Sequence, residues 1–449
     1  MAKISVIGSG GWGIALTILL HKNGHDLTIW SFDKKEAEEL KKTRQNKTKL
    51  PNILLPEDIK VTDDLREAVD NKDILILAVP SKAIRSVSKS LKNIIKDNQI
   101  IVNVAKGLEE DTLETMTDII EEELKDKNPK VAVLSGPSHA EEVGRGIPTT
   151  CVVSAHNKEL TLYLQNIFMN PSFRVYRSPD MLGVEIGGAL KNVIALAAGI
   201  ADGLNYGDNT KAALITRGIK EISALGVAMG GEQSTFYGLT GLGDLIVTCA
   251  SMHSRNRRAG ILLGQGKTLD EAIKEVNMVV EGVYSAKSAL MAAKKYNVEI
   301  PIIEQVNAVL FENKNAAEAV NELMIRDKKL EIQSWEERKE KKMKKIILML
   351  VSILVINACS STKNAPFNEV EASLNQKYGA LSNEYYKMLE NPIVEKDRRS
   401  MLNKFESFRT EVRDLKKNRK NPSSNETRVL NSFIDKSSTN IQYLNDLGE

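Results

Sequence analysis

The chain has 449 residues, of which 42% are hydrophobic and 5% aromatic, and its 62 basic and 59 acidic residues leave a net charge of +3. This length exceeds one ordinary domain and predicts two or three. The balanced charge and the few aromatic side chains argue against a nucleic-acid partner, which needs basic patches and stacking platforms. Three cysteines far apart in sequence indicate neither a disulfide framework nor a zinc site, and no metal is expected.

Residues 1–179 alternate short β-branched runs with stretches of helical pattern. Apolar runs separated by helices are typical of a parallel sheet covered on both faces, so we predict an α/β domain. The first run begins almost at the N-terminus, and no secretory signal is expected there. The predicted strands are Lys3–Ile7, Asp26–Trp30, Ile74–Val79, Gln99–Val104, Val131–Leu134 and Cys151–Val153.

Three glycines follow the first predicted strand in the pattern Gly-x-Gly-x-x-Gly and open a predicted helix over residues 14–22. In a dinucleotide-binding fold, Gly8 would form the tight turn, Gly10 would let the backbone approach a pyrophosphate, and Gly13 would pack the helix on the strand. The pyrophosphate would then lie at the helix N-terminus. A glycine-rich turn without a ligand is the alternative, and the flanking strand and helix disfavour it.

Asp33 lies just past the second predicted strand. A carboxylate there can bond the adenosine ribose hydroxyls, which favours NAD over NADP. A solvated loop carboxylate ahead of the charged helix 34–42 is an equally good interpretation. Lys34 and Lys35 could serve a 2′-phosphate, so these residues leave the choice between NAD and NADP open.

Three loops are predicted to meet outside the carboxyl ends of the strands, where open α/β sheets bind their ligands. Lys106 would carry an ammonium group to that edge, although a lysine with its stem on the surface is as good an interpretation. The small-residue turn 135–138 could donate backbone N–H groups to an anion, or be only a turn. For His139 we expect a packing role rather than that of a general base.

The strand pattern ends near residue 179, and residues 180–332 are predicted to form an all-α domain. Lys191 lies at the edge of an apolar helical stripe, and burial there would lower its pKa toward general acid–base use. Gly187 and Gly188, one turn earlier, would leave a bare groove beneath it for a flat ligand. An ordinary lysine at a helix edge is the simpler interpretation of these residues alone.

Residues 253–258, His-Ser-Arg-Asn-Arg-Arg, follow Asp244 and begin another predicted helix. Arginine binds phosphate in a bidentate manner, and Ser254 and Asn256 add neutral donors at the helix start, so an anion site is predicted here. The alternatives are a basic patch without a ligand and an Asp244 that only pairs with these cations.

Together these motifs resemble the bacterial NAD(P)-dependent glycerol-3-phosphate dehydrogenases. The resemblance runs in order over about residues 1–330, essentially the full length of that family. It implies a Rossmann domain over 1–179 and a helical substrate domain over 180–332, similar to the C-terminal domain of 6-phosphogluconate dehydrogenase. The matching stretches are residues 8–13, 135–142, 183–192, 238–245, 253–256 and 279–282.

The resemblance also implies residue roles in the reduction of dihydroxyacetone phosphate to sn-glycerol 3-phosphate, a precursor of glycerophospholipids. Lys191 would be the proton donor and acceptor. Lys106 and Arg255 would contact both the substrate and the cofactor. The other substrate contacts would be Gly136, Ser138, Asp244, Ser254 and Asn256. The other contacts of the NAD(H) or NADP(H) cofactor would be Gly8, Gly10, Gly11, Trp12, Gly13, Phe32, Asp33, Ala140, Val279 and Glu281.

The chain departs from the family at the cofactor site. Gly11 stands where the family often has serine, which removes a hydroxyl donor. Phe32 and Asp33 stand where some members have His-Arg, which disfavours a strong preference for NADP. The resemblance further implies a homodimer that works in the cytoplasm.

Two other functions remain as alternatives. The first is a related 3-hydroxyacid or 6-phosphogluconate dehydrogenase, which the anion site at 254–256 disfavours. The second is a membrane-tethered dinucleotide sensor, which the presence of both Lys106 and Lys191 disfavours.

Composition changes sharply near residue 333. Residues 333–363 contain a basic run, the apolar run 346–358 and Cys359-Ser-Ser, and from Met343 they resemble a bacterial lipoprotein signal. The apolar run is short for a membrane span and typical of a signal. Because such signals act at an N-terminus, we expect either two joined reading frames, with a separate lipoprotein, or a real fusion whose apolar run contacts the membrane. Residues 364–449 are predicted to form a charged helical tail, to which the sequence assigns no function.

Overall fold

The computed structural model describes residues 1–328, 330–331, 366–389 and 394–447. The chain divides into two compact units, Met1–Asp327 and Lys328–Glu449. The lipoprotein-like segment from Met343 to Ser361 lies outside the described residues.

An eight-stranded sheet organises the first part of Met1–Asp327, in the order β3-β2-β1-β4-β5-β6-β7-β8. Neighbouring strands are parallel except β6 and β7, which pair antiparallel. Buried Ile, Leu and Val side chains cover both faces, as expected of a doubly wound sheet. The strands are β1 (Lys3–Ile7), β2 (Asp26–Trp30), β3 (Lys60–Thr62), β4 (Ile74–Leu77), β5 (Ile100–Asn103), β6 (Lys130–Ser135), β7 (Thr149–Ala155) and β8 (Phe173–Ser178).

All six predicted strands are present, and the sheet is parallel as predicted except for the pair β6–β7. Residues 136–148 join these two strands, and their single helix, α6 (Ala140–Arg145), spans about 9 Å at 1.5 Å per residue. A strand of six residues is about 20 Å long, so this short helix does not carry the chain back along β6 as the longer helix of a parallel crossover does. The chain therefore enters β7 near the end where β6 stops, and runs back antiparallel.

The sequence analysis missed both edge strands, β3 and β8. β3 has three residues, and β8 alternates buried and exposed positions with arginines at two of the exposed ones. Neither strand shows the continuous apolar run by which the buried strands were recognised. The remaining helices of this part are α1 (Gly11–Lys22), α2 (Lys34–Thr43), α3 (Leu65–Val69), α4 (Ile84–Leu91), α5 (Met116–Glu123) and α7 (Lys158–Phe168).

A helical part follows, built around α8 (Met181–Gly203), which is buried over nearly its whole length. Among the described residues this is the one helix long and apolar enough to cross a membrane, but its apolar segment is entirely inside the protein, so it is a core helix. The helices around it are α9 (Asp208–Ala228), α10 (Gln233–Phe236), α11 (Asp244–Ala250), α12 (Arg255–Gly264), α13 (Leu269–Val276), α14 (Glu281–Tyr296), α15 (Pro301–Phe311) and α16 (Ala316–Met324).

Helices α8 and α12 cross without side chains between them. A Cβ on Gly199 would lie 2.1 Å from the carbonyl oxygen of Arg257, and one on Gly260 would lie 2.3 Å from that of Leu196. This close crossing brings the start of α12, with its arginines, beside the middle of α8, which carries Lys191.

The unit Lys328–Glu449 contains three described helices, which confirms the predicted helical tail. They are α17 (Phe367–Leu389), α18 (Glu395–Asn418) and α19 (Ser424–Asp446). Val370, Leu374, Phe408 and Phe433 are among the side chains buried between them. The tail thus has an apolar core of its own.

Candidate active site

A cleft of about 610 Å³ opens between the carboxyl ends of the parallel strands and helices α8, α11, α12 and α14. Every residue that the sequence analysis assigned to the substrate or the cofactor lines this cleft, except Gly13 and Gly136. Gly13 packs behind the glycine turn, and Gly136 contributes its carbonyl oxygen, which accepts a hydrogen bond from Lys106 at 3.0 Å.

The glycine turn has the shape that a dinucleotide requires. Gly8 has a φ of +129°, and a Cβ on Gly13 would lie 2.0 Å from the carbonyl oxygen of Gly8, so both positions need glycine. A Cβ on Gly10 would meet nothing within 4 Å, and no side chain caps the start of α1. An open approach to an uncapped helix N-terminus fits a pyrophosphate, so the residues present fit NAD(H) or NADP(H).

Gly11, the first departure from the family, has a structural reason. A Cβ at this position would lie 2.6 Å from the carbonyl oxygen of Lys49 and 3.6 Å from the Cβ of Ala140. The backbone at Lys49 therefore leaves no room for a serine here unless it shifts.

Asp33 caps helix α2, a role that neither interpretation of the sequence included. Its Oδ1 accepts hydrogen bonds from the backbone N–H groups of Lys35 and Glu36, at 2.8 and 3.2 Å. Phe32 beside it is 87% exposed. A second carboxylate, Glu36, also lines the cleft, where it accepts a hydrogen bond from Ser9 and pairs with Lys49 at 2.5 Å.

Two lysines share one buried carboxylate at the centre of the cleft. Lys191 Nζ donates to Asp244 Oδ1 and to Thr248 Oγ1, each at 2.6 Å. Lys106 Nζ donates to Asp244 Oδ2 at 2.5 Å. The Thr248 hydroxyl donates in turn to the backbone oxygen of Asp244, one helical turn away on α11.

The electrostatics of this cluster follow from burial and from the excess positive charge. Burial lowers the pKa of Lys191 to about 8, and the charge of Lys106 acts in the same direction, while Asp244 opposes both. Burial alone would raise the pKa of Asp244, but the two ammonium groups outweigh it and hold that pKa below its usual value. The predicted lowering of the Lys191 pKa is confirmed, and Asp244 pairs with the lysines instead of the arginine cluster.

The two glycines before Lys191 do not leave a groove for a ligand, as the sequence analysis expected. A Cβ on Gly187 would lie 3.1 Å from the backbone oxygen of Thr240, and one on Gly188 would lie 2.9 Å from Ser135 Oγ. Protein fills both places, because α8 packs closely on the segment that leads into Asp244 and on the side of Lys106.

The predicted anion site divides into structural and available groups. Ser254 Oγ caps α12 by accepting from the N–H of Arg257 at 3.2 Å. Asn256 donates to Asn192 Oδ1 and accepts from the N–H of Gly282, both at 2.9 Å, so its amide joins three helices. Arg255 is half-buried and lines the cleft, and no carboxylate of the described residues pairs with it.

The remaining predicted residues lie around the rim. Ser138 donates to the carbonyl oxygen of Gly136 at 2.9 Å. Val279 lines the cleft, and Glu281 accepts from the N–H and the hydroxyl of Ser81, at 3.2 and 2.5 Å, which ties α14 to the loop after β4. The ring centroids of His139 and His253 lie 5.9 Å apart. Burial lowers the pKa of His139.

Several groups that line the cleft were not predicted, among them Glu36, Lys49 and Thr248. Thr248 follows Asp244 by four residues in a region predicted to be all-α, a spacing that could have revealed it. For the Glu36–Lys49 pair the sequence offered no comparable signal, because the two residues belong to different elements and meet only in the fold.

Comparison with known proteins bears on the whole of Met1–Asp327. The model of the N-terminus of NAD-dependent glycerol-3-phosphate dehydrogenase matches residues 3–161, and the model of its C-terminus matches residues 180–321. A relative from Fusobacterium nucleatum, named glycerol-3-phosphate dehydrogenase (NAD(P)+), is 95% identical over 335 residues, which are 75% of this chain and 100% of that protein. About a quarter of the chain therefore has no counterpart in this relative.

More distant relatives agree. A protein of the same name from Agathobacter rectalis is 58% identical over 75% of this chain and 99% of its own length. The solved glycerol-3-phosphate dehydrogenase of Coxiella burnetii superposes with a TM-score of 0.70 at 36% identity, over 72% of this chain and 99% of its own. With both halves of the fold and the cleft accounted for, the chain belongs to the NAD-dependent glycerol-3-phosphate dehydrogenase family.

Proposed function

We propose that Met1–Asp327 reduces dihydroxyacetone phosphate to sn-glycerol 3-phosphate with NADH or NADPH, and that Lys191 is its general acid and base. The observation that carries this proposal is the pair of lysines on Asp244. Each ammonium group has three N–H donors, and each uses two of them inside the protein. Because both lysines line the cleft, each has one N–H left for a substrate oxygen.

The proposed chemistry assigns a different task to each group. The bound reduced dinucleotide supplies the hydride that the carbonyl carbon receives. Lys191 transfers a proton from Nζ to the carbonyl oxygen and becomes a neutral amine, which its pKa of about 8 makes accessible near neutral pH. Lys106 stays an ammonium group and stabilises the negative charge that develops on the oxygen before the proton arrives.

Arg255 would hold the phosphate. Its guanidinium has five N–H donors, lines the cleft and is not paired with a carboxylate in the described part of the chain. Phosphate binding far from the reacting carbon fixes the orientation of the ketone between the two lysines. Asn256 supports this arrangement from behind, since its amide holds Asn192 and Gly282 in place.

The experiment uses the full-length chain and follows the loss of NADH or NADPH absorbance after addition of dihydroxyacetone phosphate. Lys191→Met should lower kcat by roughly 10²- to 10⁴-fold, the usual contribution of a general acid. The matched control is Lys274→Met, an exposed lysine on α13 outside the cleft, which should leave the rate unchanged. A folded parent that binds dinucleotide but oxidises neither cofactor would overturn the proposal and favour a dinucleotide sensor.

The oligomeric state and the location are proposals that rest on the resemblance to the bacterial family. We propose a homodimer that forms through the helical part and works in the cytoplasm. Light scattering on the purified chain tests the dimer, and cell fractionation tests the location. Membrane contact would involve residues 346–358, so a chain recovered with membranes only when that run is present would assign the contact to it.

A further inference from the structure

A second buried carboxylate, Glu185, lies on α8 six residues before Lys191 and is only 5% exposed. Its Oε1 accepts from the backbone N–H of Thr117 at 3.0 Å and from Asn103 Nδ2 at 3.3 Å. Its Oε2 accepts from the Thr117 hydroxyl. Since Thr117 is on α5 and Asn103 ends β5, this carboxylate joins the helical part to the α/β part.

The bond to Asn103 leads directly to Lys106. The Asn103 side chain accepts from the N–H of Ala105 and donates to its carbonyl oxygen, both at 3.0 Å, which fixes the backbone just before Lys106. Lys106 then extends to the carbonyl oxygen of Gly136 and to Asp244. Glu185 thus contacts the side chain that shapes the Lys106 loop.

Helix α8 consequently takes part in positioning both ammonium groups of the cleft. It carries Lys191 itself, and it carries Glu185, about 9 Å from Lys191 along the helix axis, which contacts Asn103 of the α/β part. The spacing of the two lysines therefore depends on how α8 packs against the loop after β5, and Glu185 lies at that contact.

The carboxylate has no cation to balance it. No Lys or Arg of the described residues forms an ion pair with Glu185, and burial raises its pKa to about 7 against the opposing hydrogen bonds from Thr117 and Thr115. An apolar side chain in its place would leave the buried donors of Thr117 and Asn103 without an acceptor. The three donors directed at it are satisfied only while it accepts hydrogen bonds.

We propose that Glu185 is a positioning residue, which fixes the loop after β5 through Asn103 and thereby holds the Lys106 ammonium group against Asp244. The inference rests on the proposed function, because turnover of dihydroxyacetone phosphate is its main readout. Glu185 does not line the cleft, so it acts on the substrate only through Lys106.

The test is a double-mutant cycle in the full-length chain with Glu185→Met, Lys106→Met and the double variant. Methionine has a similar length but accepts no hydrogen bond from Asn103 or Thr117. If Glu185 acts through Lys106, Glu185→Met should lower kcat/KM for dihydroxyacetone phosphate by about tenfold in the parent and by less than about twofold once Lys106 is gone. The dissociation constant of NADH, measured by tryptophan fluorescence, should stay the same, since the glycine turn is untouched.

Glu221→Met is the matched control. Glu221 is also buried, burial raises its pKa to about 7 as well, and it accepts from the N–H groups of Ile302 and Ile303 at the start of α15, away from the cleft. Any effect of Glu221→Met should be the same factor with and without Lys106. Asn103→Leu is a second variant that cuts the connection from the other side and should reproduce the cycle of Glu185→Met.

The outcomes separate the inference from the proposed function. If the parent is active and Glu185→Met and Asn103→Leu lose the same factor in both Lys106 backgrounds, the inference alone is overturned. Unchanged kcat/KM in Glu185→Met and Asn103→Leu overturns it as well. A parent that binds NADH without turning over dihydroxyacetone phosphate overturns the proposed function. If the Glu185→Met protein fails to bind NADH, the Asn103→Leu cycle decides.

Discussion

Lys191 Nζ lies 2.6 Å from Asp244 Oδ1, in a place where Asp244 is only 2% exposed. The pair is desolvated, so each charge depends on the other much more than in a surface ion pair. The second oxygen of Asp244 contacts Lys106, which leaves the cluster with one positive charge in excess. This excess charge suits a site that binds a phosphate dianion and stabilises an oxyanion.

Asp244→Asn should move the alkaline limb of the pH–rate profile to lower pH. Asp244 raises the pKa of Lys191, whereas burial and Lys106 lower it to about 8. Without the carboxylate, burial and Lys106 dominate, so the pKa of Lys191 falls further. Reduction of the ketone requires the ammonium form, so activity is lost as the pH rises through this pKa. The parent should lose activity near pH 8 and the variant at a lower pH.

The control for this experiment is Asp202→Asn. Asp202 lies at the C-terminal end of α8, where it pairs with Arg257 and Lys211, and it does not line the cleft. Its replacement should leave the limb where it is in the parent. If the alkaline limb stays near pH 8 in Asp244→Asn, it reports the titration of a group other than Lys191.

Gly10→Ala and Gly13→Ala should separate binding from folding. The methyl group of Gly13→Ala would lie 2.0 Å from the Gly8 carbonyl oxygen, and overpacking of this kind costs about 1–3 kcal/mol of unfolding free energy. The methyl group of Gly10→Ala meets nothing in the protein, so the unfolding free energy should hardly change. It projects into open space at the start of α1, so NADH affinity should fall about tenfold, equivalent to about 1.4 kcal/mol.

Thermal unfolding and fluorescence titration with NADH measure the two quantities. Equal NADH affinity in Gly10→Ala and the parent would show that the pyrophosphate does not approach this turn. An unfolding transition of Gly13→Ala equal to that of the parent would show that the turn can widen to accept a methyl group.

The fold was predictable from local patterns, and most of the cleft from the resemblance to the family. Apolar runs revealed the buried strands, and the glycine spacing revealed the turn between β1 and α1. The partners of the charged groups depend on contacts between distant segments, and these were not predictable. Asp244 was near arginines in sequence but meets Lys106 and Lys191 in space. Glu36 and Lys49 likewise belong to separate segments and meet only in the fold.

The Glu36–Lys49 pair should influence the choice between NADH and NADPH. It lines the cleft near the end of β2, where Rossmann domains bind the adenosine ribose. A carboxylate favours the free 2′-hydroxyl of NADH, and an ammonium group favours the 2′-phosphate of NADPH. Lys49→Met should therefore shift the ratio of the two dissociation constants toward NADH by about tenfold, and Glu36→Gln should shift it toward NADPH.

Lys34→Met is the matched control, since Lys34 is exposed on α2 and does not line the cleft. The dissociation constants of NADH and NADPH should both stay at the parent values in this variant. If Lys34→Met shifts the ratio of the two dissociation constants and Lys49→Met does not, the 2′-phosphate is bound at the start of α2. That result would agree with the sequence-based suggestion that Lys34 and Lys35 serve the 2′-phosphate.

Removing residues 335–449 should leave the kinetic constants of the dehydrogenase within about twofold of those of the full-length chain. Every residue that lines the cleft lies in Met1–Asp327, which is a compact unit with its own cores. Residues 366–447 alone should be helical and unfold cooperatively, because α17, α18 and α19 bury a separate apolar core. A truncated enzyme with much lower kcat would show that the tail contributes to catalysis.

The division into two units also permits a test of whether they are translated as one product or as two. Antibodies against each unit, applied to extracts of the native cells, should detect a single product if the chain is a real fusion. If translation starts separately at Met343, the two antibodies should detect different products, and the tail should carry lipid on Cys359, as expected from the Ile-Asn-Ala-Cys sequence at residues 356–359. In that case the dehydrogenase alone would account for the activity, and the tail would be a lipoprotein with its own function.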